Sequence, residues 1–327
     1  MGAGCMKHFY SPVLAITGPT AVGKTALADT LALRFRGEII NCDVGQFYTP
    51  LTIGTAKPDV GAAMIPHHLF SIIDTPRNIT VVEYRDLVLQ KIAQVKERGN
   101  LPILVGGSAF YIQSLIFPPV LQSLPVTDKL ARRETTEQLW QELFLIDPER
   151  ARALHHHDRY RIERALTIWD AVGVKPSLYT PTYCPPVDME LVIVGKERAA
   201  LYNTINERVL VMMQQGWLEE VRALDEGWQQ FLLEKKIIGY DDIIAYLKKS
   251  DCSEAAYAAL VERIQQKTRA YAKKQLCFFK QLSTKIIKAQ QTDVGSYRVE
   301  VSYADLTAYP LELYIKQLSE KLKTSLT

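Results

Sequence analysis

Gly18-Pro19-Thr20-Ala21-Val22-Gly23-Lys24-Thr25 follows the spacing G-x-x-x-x-G-K-T. Glycine-bounded loops of this type turn successive backbone N–H groups toward phosphate oxygens, and the helix that follows adds its positive dipole end. Lys24 is suited to the outer phosphate, and the Thr25 hydroxyl to helping hold Mg²⁺. The spacing also matches the ATP-binding motif of many nucleotide hydrolases, so the loop alone does not choose a reaction. ATPases and GTPases usually add an acid at the end of a second strand to support the metal. Here the corresponding run, Leu101 to Val105, ends in Gly106 and Gly107, and the chain has no N-K-x-D guanine-reading segment. The acid that does follow an apolar run is Asp43, after Glu38 to Cys42. At the carboxyl edge of a parallel sheet it would lie beside the phosphate loop. There it could bind Mg²⁺, take a proton from a nucleophile, or cap a loop.

These residues require a specific frame. Val13 to Thr17 reads as a buried strand, Lys24 to Arg36 as a helix, and Glu38 to Asp43 as a second strand. Residues 44–80 read as loop, Val81 to Arg98 as an amphipathic helix, and Leu101 to Val105 as a third strand running into Gly106-Gly107-Ser108. Strands alternating with helices predict an α/β fold, a P-loop-type parallel sheet with helices on both faces. The alternation stops at "FPPVLQSLP" and resumes with "ELVIVG". Residues 118–188 are therefore expected to form a helical insertion, with 1–117 and 189–327 making a discontinuous core. Further helices are predicted near 197–225, 235–248 and 254–283, then a strand and a last helix. In the long one, Ile264, Tyr271, Phe278 and Leu282 are expected to face the core.

The chain has 327 residues with a formal charge of +3, so its total charge selects no partner. The distribution is more telling. Residues 261–288 carry eight Lys or Arg against the single acid Glu262, a pattern suited to a polyanion or to a solvated helix face. The five cysteines form no C-x-x-C pair and read as free thiols of a reducing compartment. The start, MGAGCMKHFYSP, lacks an apolar signal core, and no stretch reaches membrane-span length. A cytoplasmic protein without membrane contact is expected. His67-His68 and His155 to Asp158 could suggest metal, but adjacent histidines rarely converge on one ion and no further ligand cluster supports them.

Taken in order, "GPTAVGKTALA", "IINCDVGQFYTPLTIGTAKPD", "PHHLFSIID", "LPILVGGSAFYI", "HDRYRIERAL", "RAALYNTINERV", "IIGYDDIIAYL" and "TRAYAKKQ" resemble the tRNA dimethylallyltransferase family. The segment "IGTAKP" is far more specific than the phosphate loop. The resemblance implies prenyl transfer from dimethylallyl diphosphate to N6 of the adenosine just 3′ of the anticodon. It implies Asp43 as general base, with Thr25 and Arg208 also catalytic and Thr25 at Mg²⁺. It implies tRNA contacts at Asp43, Val44, Gly45, Gln46, Ser108, Arg132, Tyr160, Arg161, Arg164, Lys236, Gly239, Tyr240, Arg269, Lys273 and Lys274. The insertion would correspond to the anticodon-arm domain, although its nine Lys or Arg are outnumbered by ten Asp or Glu. The partner would be a tRNA anticodon stem-loop, and a monomer is expected. Five positions depart from the usual pattern: Val44 replaces a serine, Ser108 a threonine, Asp241 a basic residue, and Cys277-Phe278 a Thr-Trp pair. The competing readings are a P-loop kinase of a small molecule, an adenine-nucleotide prenyltransferase, and a non-catalytic RNA-binding protein.

Overall fold

Six short runs form one sheet: β1 (Val13–Thr17), β2 (Gly37–Asn41), β3 (His67–His68), β4 (Leu101–Val105), β5 (Met189–Gly195) and β6 (Val299–Asp305). A computed structural model describes them within residues 13–117, 133–179, 188–249, 253–292 and 299–307, with 312, 313, 315–317 and 320. Their order is β3-β2-β4-β1-β5-β6, and every pair is parallel. Every residue of β1, β2 and β4 is buried, which is why these strands read as apolar runs and not as alternating patterns. The register sets Leu14 opposite Ile103 and Ile16 opposite Val192, so β1 lies between β4 and β5. Because all strands run the same way, the turns after β1, β2 and β4 leave from one edge.

Helices pack on this sheet: α1 (Lys24–Phe35), α2 (Val81–Glu97) and α3 (Ala109–Ile116). Thr80 starts α2 by accepting from the Glu83 N–H at 3.1 Å. Leu27 and Leu31 of α1 join Leu14, Ile16, Ile39, Ile103 and Val192 in the main core.

The chain forms two compact units, Met1–Ile116 with Pro186–Thr327, and Phe117–Pro185. The smaller contains α4 (Thr136–Ile146), α5 (Pro148–Arg152) and α6 (Arg159–Val172) around its own core of Leu139, Leu143, Ala151, Ile162, Ala165 and Leu166. Thr135 and Gln138 form a reciprocal capping box at the start of α4.

The second half of the larger unit differs from the expectation. The helix expected over 197–225 divides into α7 (Arg198–Gln214) and α8 (Trp217–Arg222) at Gly216, whose φ of 96° ends a helical run. Two shorter helices follow, α9 (Glu226–Lys235) and α10 (Tyr240–Leu247), where only one was expected. The long helix α11 (Glu254–Thr292) has a buried stripe of Val261, Ile264, Ala272, Gln275, Phe279, Leu282 and Ile286. Tyr271 lies off this stripe, 37% exposed, and Phe278 is only partly buried. At about 100° per residue these buried positions fill an arc of about 80° whose edge is Ile264, and Tyr271 and Phe278 fall about 20° and 40° outside that edge. Among the described residues no helix is long and apolar enough to cross a membrane.

Candidate active site

The glycine-bounded loop leaves β1 at Gly18, whose φ is 144° and where a Cβ would come within 2.3 Å of the Val194 carbonyl oxygen. Only glycine fits there. Ala21 and Gly23 also have left-handed backbone, at φ 63° and 100°, and they wrap the loop into a concavity. The first helical bond of α1 runs from the Leu27 N–H to the Gly23 oxygen, at 3.2 Å. The N–H groups of Lys24, Thr25 and Ala26 precede it and have no helical carbonyl to meet. No side chain caps this end. Lys24 Nζ donates to Pro19 O at 2.7 Å and to Gly18 O at 3.1 Å, which draws its charge over the loop.

Asp43 stands at the same edge, after β2. Asn41 at the end of β2 holds it: Asn41 Oδ1 accepts from the Asp43 N–H at 2.8 Å, and Asn41 Nδ2 donates to Asp43 O and Leu69 O, both at 3.1 Å. The carboxylate accepts from the Gly45 N–H at 3.3 Å, and the nearby Gly107 N–H also favours its charged form. The Ser108 hydroxyl accepts from the Val44 N–H at 3.1 Å, so the turn after β4 supports the turn after β2. With valine at 44, only its backbone takes part.

Three charges share this space. Burial pushes the Lys24 ammonium down to about 8; Asp43 opposes the shift and Arg208 adds to it. Burial raises the Asp43 carboxyl above its ordinary range, against the pull of Lys24, the Gly45 and Gly107 N–H groups and Arg208. Burial also lowers Arg208, opposed by Asp43. Arg208 sits on α7 next to the buried stripe of Leu201, Ile205 and Val209, and its guanidinium has no hydrogen-bond partner among the described residues. A half-buried cationic fork with unspent donors suits an oxyanion. A carboxylate with raised proton affinity beside it suits proton abstraction. Asp43 and Arg208 are distant in sequence, and the fold brings them together.

The "IGTAKP" segment is held from behind in part by Trp217 and Glu220, which no sequence motif marks. Glu220 on α8 accepts from the N–H groups of Thr52, Ile53 and Gly54 at 2.9, 2.6 and 3.3 Å, and from the Tyr240 hydroxyl at 2.7 Å. Trp217 lies against Gly54 and Gly239, where a Cβ would come within 2.1 Å of the indole at either position. Lys57 donates to Tyr48 O at 2.6 Å and to the Ser71 hydroxyl at 2.8 Å. Gln46 donates its amide to Thr55 O at 3.0 Å and Ala56 O at 3.2 Å. The signal for Glu220 was faint, one of two adjacent glutamates in an ordinary short helix.

The expected tRNA contacts divide by geometry. Tyr240 is fully buried with its hydroxyl spent on Glu220, and Gly239 is packed under Trp217, so both frame the loop and neither presents a surface. Lys236 is exposed at the end of α9 with φ 52°. Arg269 bonds to Asn206 Oδ1 at 2.6 Å and Glu262 at 3.1 Å. Lys267 is paired with Asp241 at 2.9 Å and Asp242 at 2.8 Å, which gives the unusual Asp241 a local partner. Lys273 and Lys274 are exposed and have no ion pair among the described residues. The basic stretch is thus partly neutralised, with its open charge toward 273–280. In the smaller unit Tyr160 is 69% exposed, Arg161 pairs with Asp158 at 3.2 Å, and Arg164 is exposed. Arg132 lies outside the described residues.

His68 bonds to Glu38 at 2.5 Å, and the ring of His155 stacks on His156 with His157 tilted against both. No group of three or more His, Cys, Asp or Glu among the described residues could hold a metal. Cys42 is a free thiol that burial pushes up to about 12, which leaves it unreactive at neutral pH.

A fully parallel sheet with a glycine loop running from β1 into a helix N-terminus defines a P-loop-type α/β protein. The family model described as IPP transferase matches residues 46–282. A tRNA dimethylallyltransferase of Petrotoga mobilis is 36% identical over 280 residues, covering 83% of this chain and 91% of that protein. The crystal structure of the tRNA isopentenylpyrophosphate transferase of Bacillus halodurans is similar with a TM-score of 0.62 at 28% identity, covering 97% of each chain. A eukaryotic dimethylallyltransferase acting on tRNA gives a TM-score of 0.72 at 26% identity, covering 95% of this chain and 77% of that one. The chain belongs to the IPP transferase family.

Proposed function

We propose that the chain transfers a dimethylallyl group from dimethylallyl diphosphate to N6 of the adenosine just 3′ of the anticodon of tRNA. The observation that carries this reading is the Asp43 carboxylate beside the phosphate loop, within electrostatic reach of two cations, Lys24 and Arg208. The relatives named tRNA dimethylallyltransferase supply the substrate pair. The allylic C–O bond breaks and the diphosphate leaves with the electron pair. Adenine N6 forms the new C–N bond, and its proton passes to Asp43. Adenine N6 is a poor nucleophile because its lone pair is delocalised, so loss of the proton as the bond forms lowers the barrier. The loop N–H groups, Lys24 and Arg208 meet the charge that grows on the leaving oxygen. ATP has no part in this reaction.

A magnesium ion fits this arrangement. Thr25 is exposed at the N-terminus of α1, and the described residues offer no larger cluster of acidic ligands. Mg²⁺ typically takes one or two protein oxygens and fills its shell with phosphate and water. It would be held by Thr25 and the diphosphate, and would neutralise part of the leaving charge.

The deciding assay incubates the protein with Mg²⁺, labelled dimethylallyl diphosphate, and unmodified tRNA, AMP or ATP separately. Label is expected only on tRNAs with adenosine at that position. Transfer to AMP, or steady ATP turnover without transfer, would overturn the reading in favour of a nucleotide prenyltransferase or a kinase. The open charge at Lys273 and Lys274 gives a second expectation. Replacing both by alanine is expected to reduce the slope of log affinity for tRNA against log salt by about one to two units, because each lost phosphate contact removes released counterions. An unchanged slope returns these lysines to an ordinary solvated face.

A further inference from the structure

The phosphate loop and the proposed base are joined by one side chain of the long helix. Gln275 of α11 is 5% exposed. Its Oε1 accepts from the Thr20 N–H at 2.9 Å, and its Nε2 donates to Gly107 O at 2.9 Å. Thr20 belongs to the loop that carries Lys24. Gly107 lies against the Asp43 carboxylate, whose Oδ2 would be 3.7 Å from a Cβ at Gly107, and its N–H favours the charged form. The amide therefore spans the two halves of the site, with its acceptor on the donor cradle and its donor on the support of the base.

We infer that Gln275 is a positioning residue for prenyl transfer: it fixes the distance between the diphosphate cradle and Asp43. The inference rests on the function proposed above. Three features support it. The residue is a buried polar group on the buried stripe of α11, between the apolar Ala272 and Phe279, and such a group is retained only where its partners are fixed. Both ends of the amide are used in the sense that only an amide or a protonated acid can supply, one acceptor and one donor. A Cβ at Gly107 would come within 2.5 Å of Gln275 Nε2 and 3.5 Å of Gly18 O, so the three segments meet in close contact. In-line displacement is sensitive to small errors in the separation of nucleophile and leaving group. A part that sets that separation acts on the rate more than on either affinity.

The experiment uses the full chain and two variants. Gln275→Met keeps the volume and loses both hydrogen bonds. Gln275→Glu supplies both bonds only when its carboxyl is protonated. Circular dichroism melts, tRNA affinity, donor KM and the single-turnover rate are measured for each, alongside the unaltered protein. An unaltered protein that transfers no label to tRNA would defeat the proposed function itself, a result distinct from any defect confined to the variants. With the unaltered protein active, Gln275→Met is expected to slow the single-turnover step by about 10- to 100-fold with tRNA affinity and donor KM within about threefold of the original. Gln275→Glu is expected to approach the rate of the original as pH is lowered and to fall away as pH is raised. The inference is overturned by an unchanged rate in Gln275→Met, by a rate loss matched by lost donor affinity, or by a Gln275→Glu variant whose rate relative to the original is constant with pH. If Gln275→Met does not fold, the pH dependence of Gln275→Glu decides alone.

Discussion

Replacing Asp43 by asparagine is expected to lower the single-turnover rate of prenyl transfer by about 10²- to 10⁴-fold, with tRNA affinity unchanged. Asparagine has the same shape and can still accept from the Gly45 N–H, so the turn after β2 should keep its form. It cannot take a proton. The pH profile provides the independent check. In the unaltered protein the base works only when deprotonated. Burial has raised its proton affinity, so activity should fall as pH drops through that raised range. Lys24 must be charged to hold a diphosphate, and in the free protein it loses its charge as pH rises through about 8. The two limbs belong to a coupled pair. Removing the Asp43 charge takes away the group that opposes the lowering of Lys24, so in Asp43→Asn the acid limb should vanish and the basic limb should move to lower pH. A variant with the original rate, or with the original acid limb, would remove Asp43 from the role of base.

Arg208→Ala is expected to slow transfer by about 10²- to 10³-fold, the usual effect of deleting a preorganised donor to a developing oxyanion. Arg208→Lys should recover only part of the rate, because an ammonium is a point charge and cannot reproduce the planar fork. Stability should behave differently from activity. The guanidinium is half-buried, has no hydrogen-bond partner among the described residues, and its charged form is disfavoured by desolvation, so its charge costs free energy in the fold. The alanine variant is therefore expected to melt at the same temperature as the original or higher, the opposite of a structural arginine. Kinetics and thermal melts on the same samples test this. A lowered Tm that accounts for the lost rate would make Arg208 a packing residue. A shift in the Lys24-linked basic limb toward higher pH should accompany the substitution, since one neighbouring positive charge has gone.

What could be read from the sequence was local. The phosphate loop is contiguous, and its glycines answer to backbone angles that the loop itself requires, as at Gly18 and Gly23. Asp43 was legible because it follows directly on a buried strand, and a parallel sheet sends every such strand end to one edge. Burial on both faces made β1, β2 and β4 apolar throughout, so their strands were visible in composition alone. The two-residue strand β3 was too short to carry any pattern.

The sequence by itself therefore determined the loop, the strand-end acid and the alternation that makes the sheet, because each depends on neighbours within a few residues. The tertiary structure alone decided the rest. Gln275 reaches Thr20 across 255 positions of chain, and Glu220 reaches Thr52 across 168. Tyr271 of α11 is 37% exposed because it falls just outside one edge of the buried arc, and which edge is covered is set by what packs against the helix. Lys267 looked like part of a polyanion surface until Asp241 and Asp242 were placed against it. Proton affinities at Lys24, Asp43 and Arg208 follow from burial and mutual distance, which are properties of folded space and not of residue order.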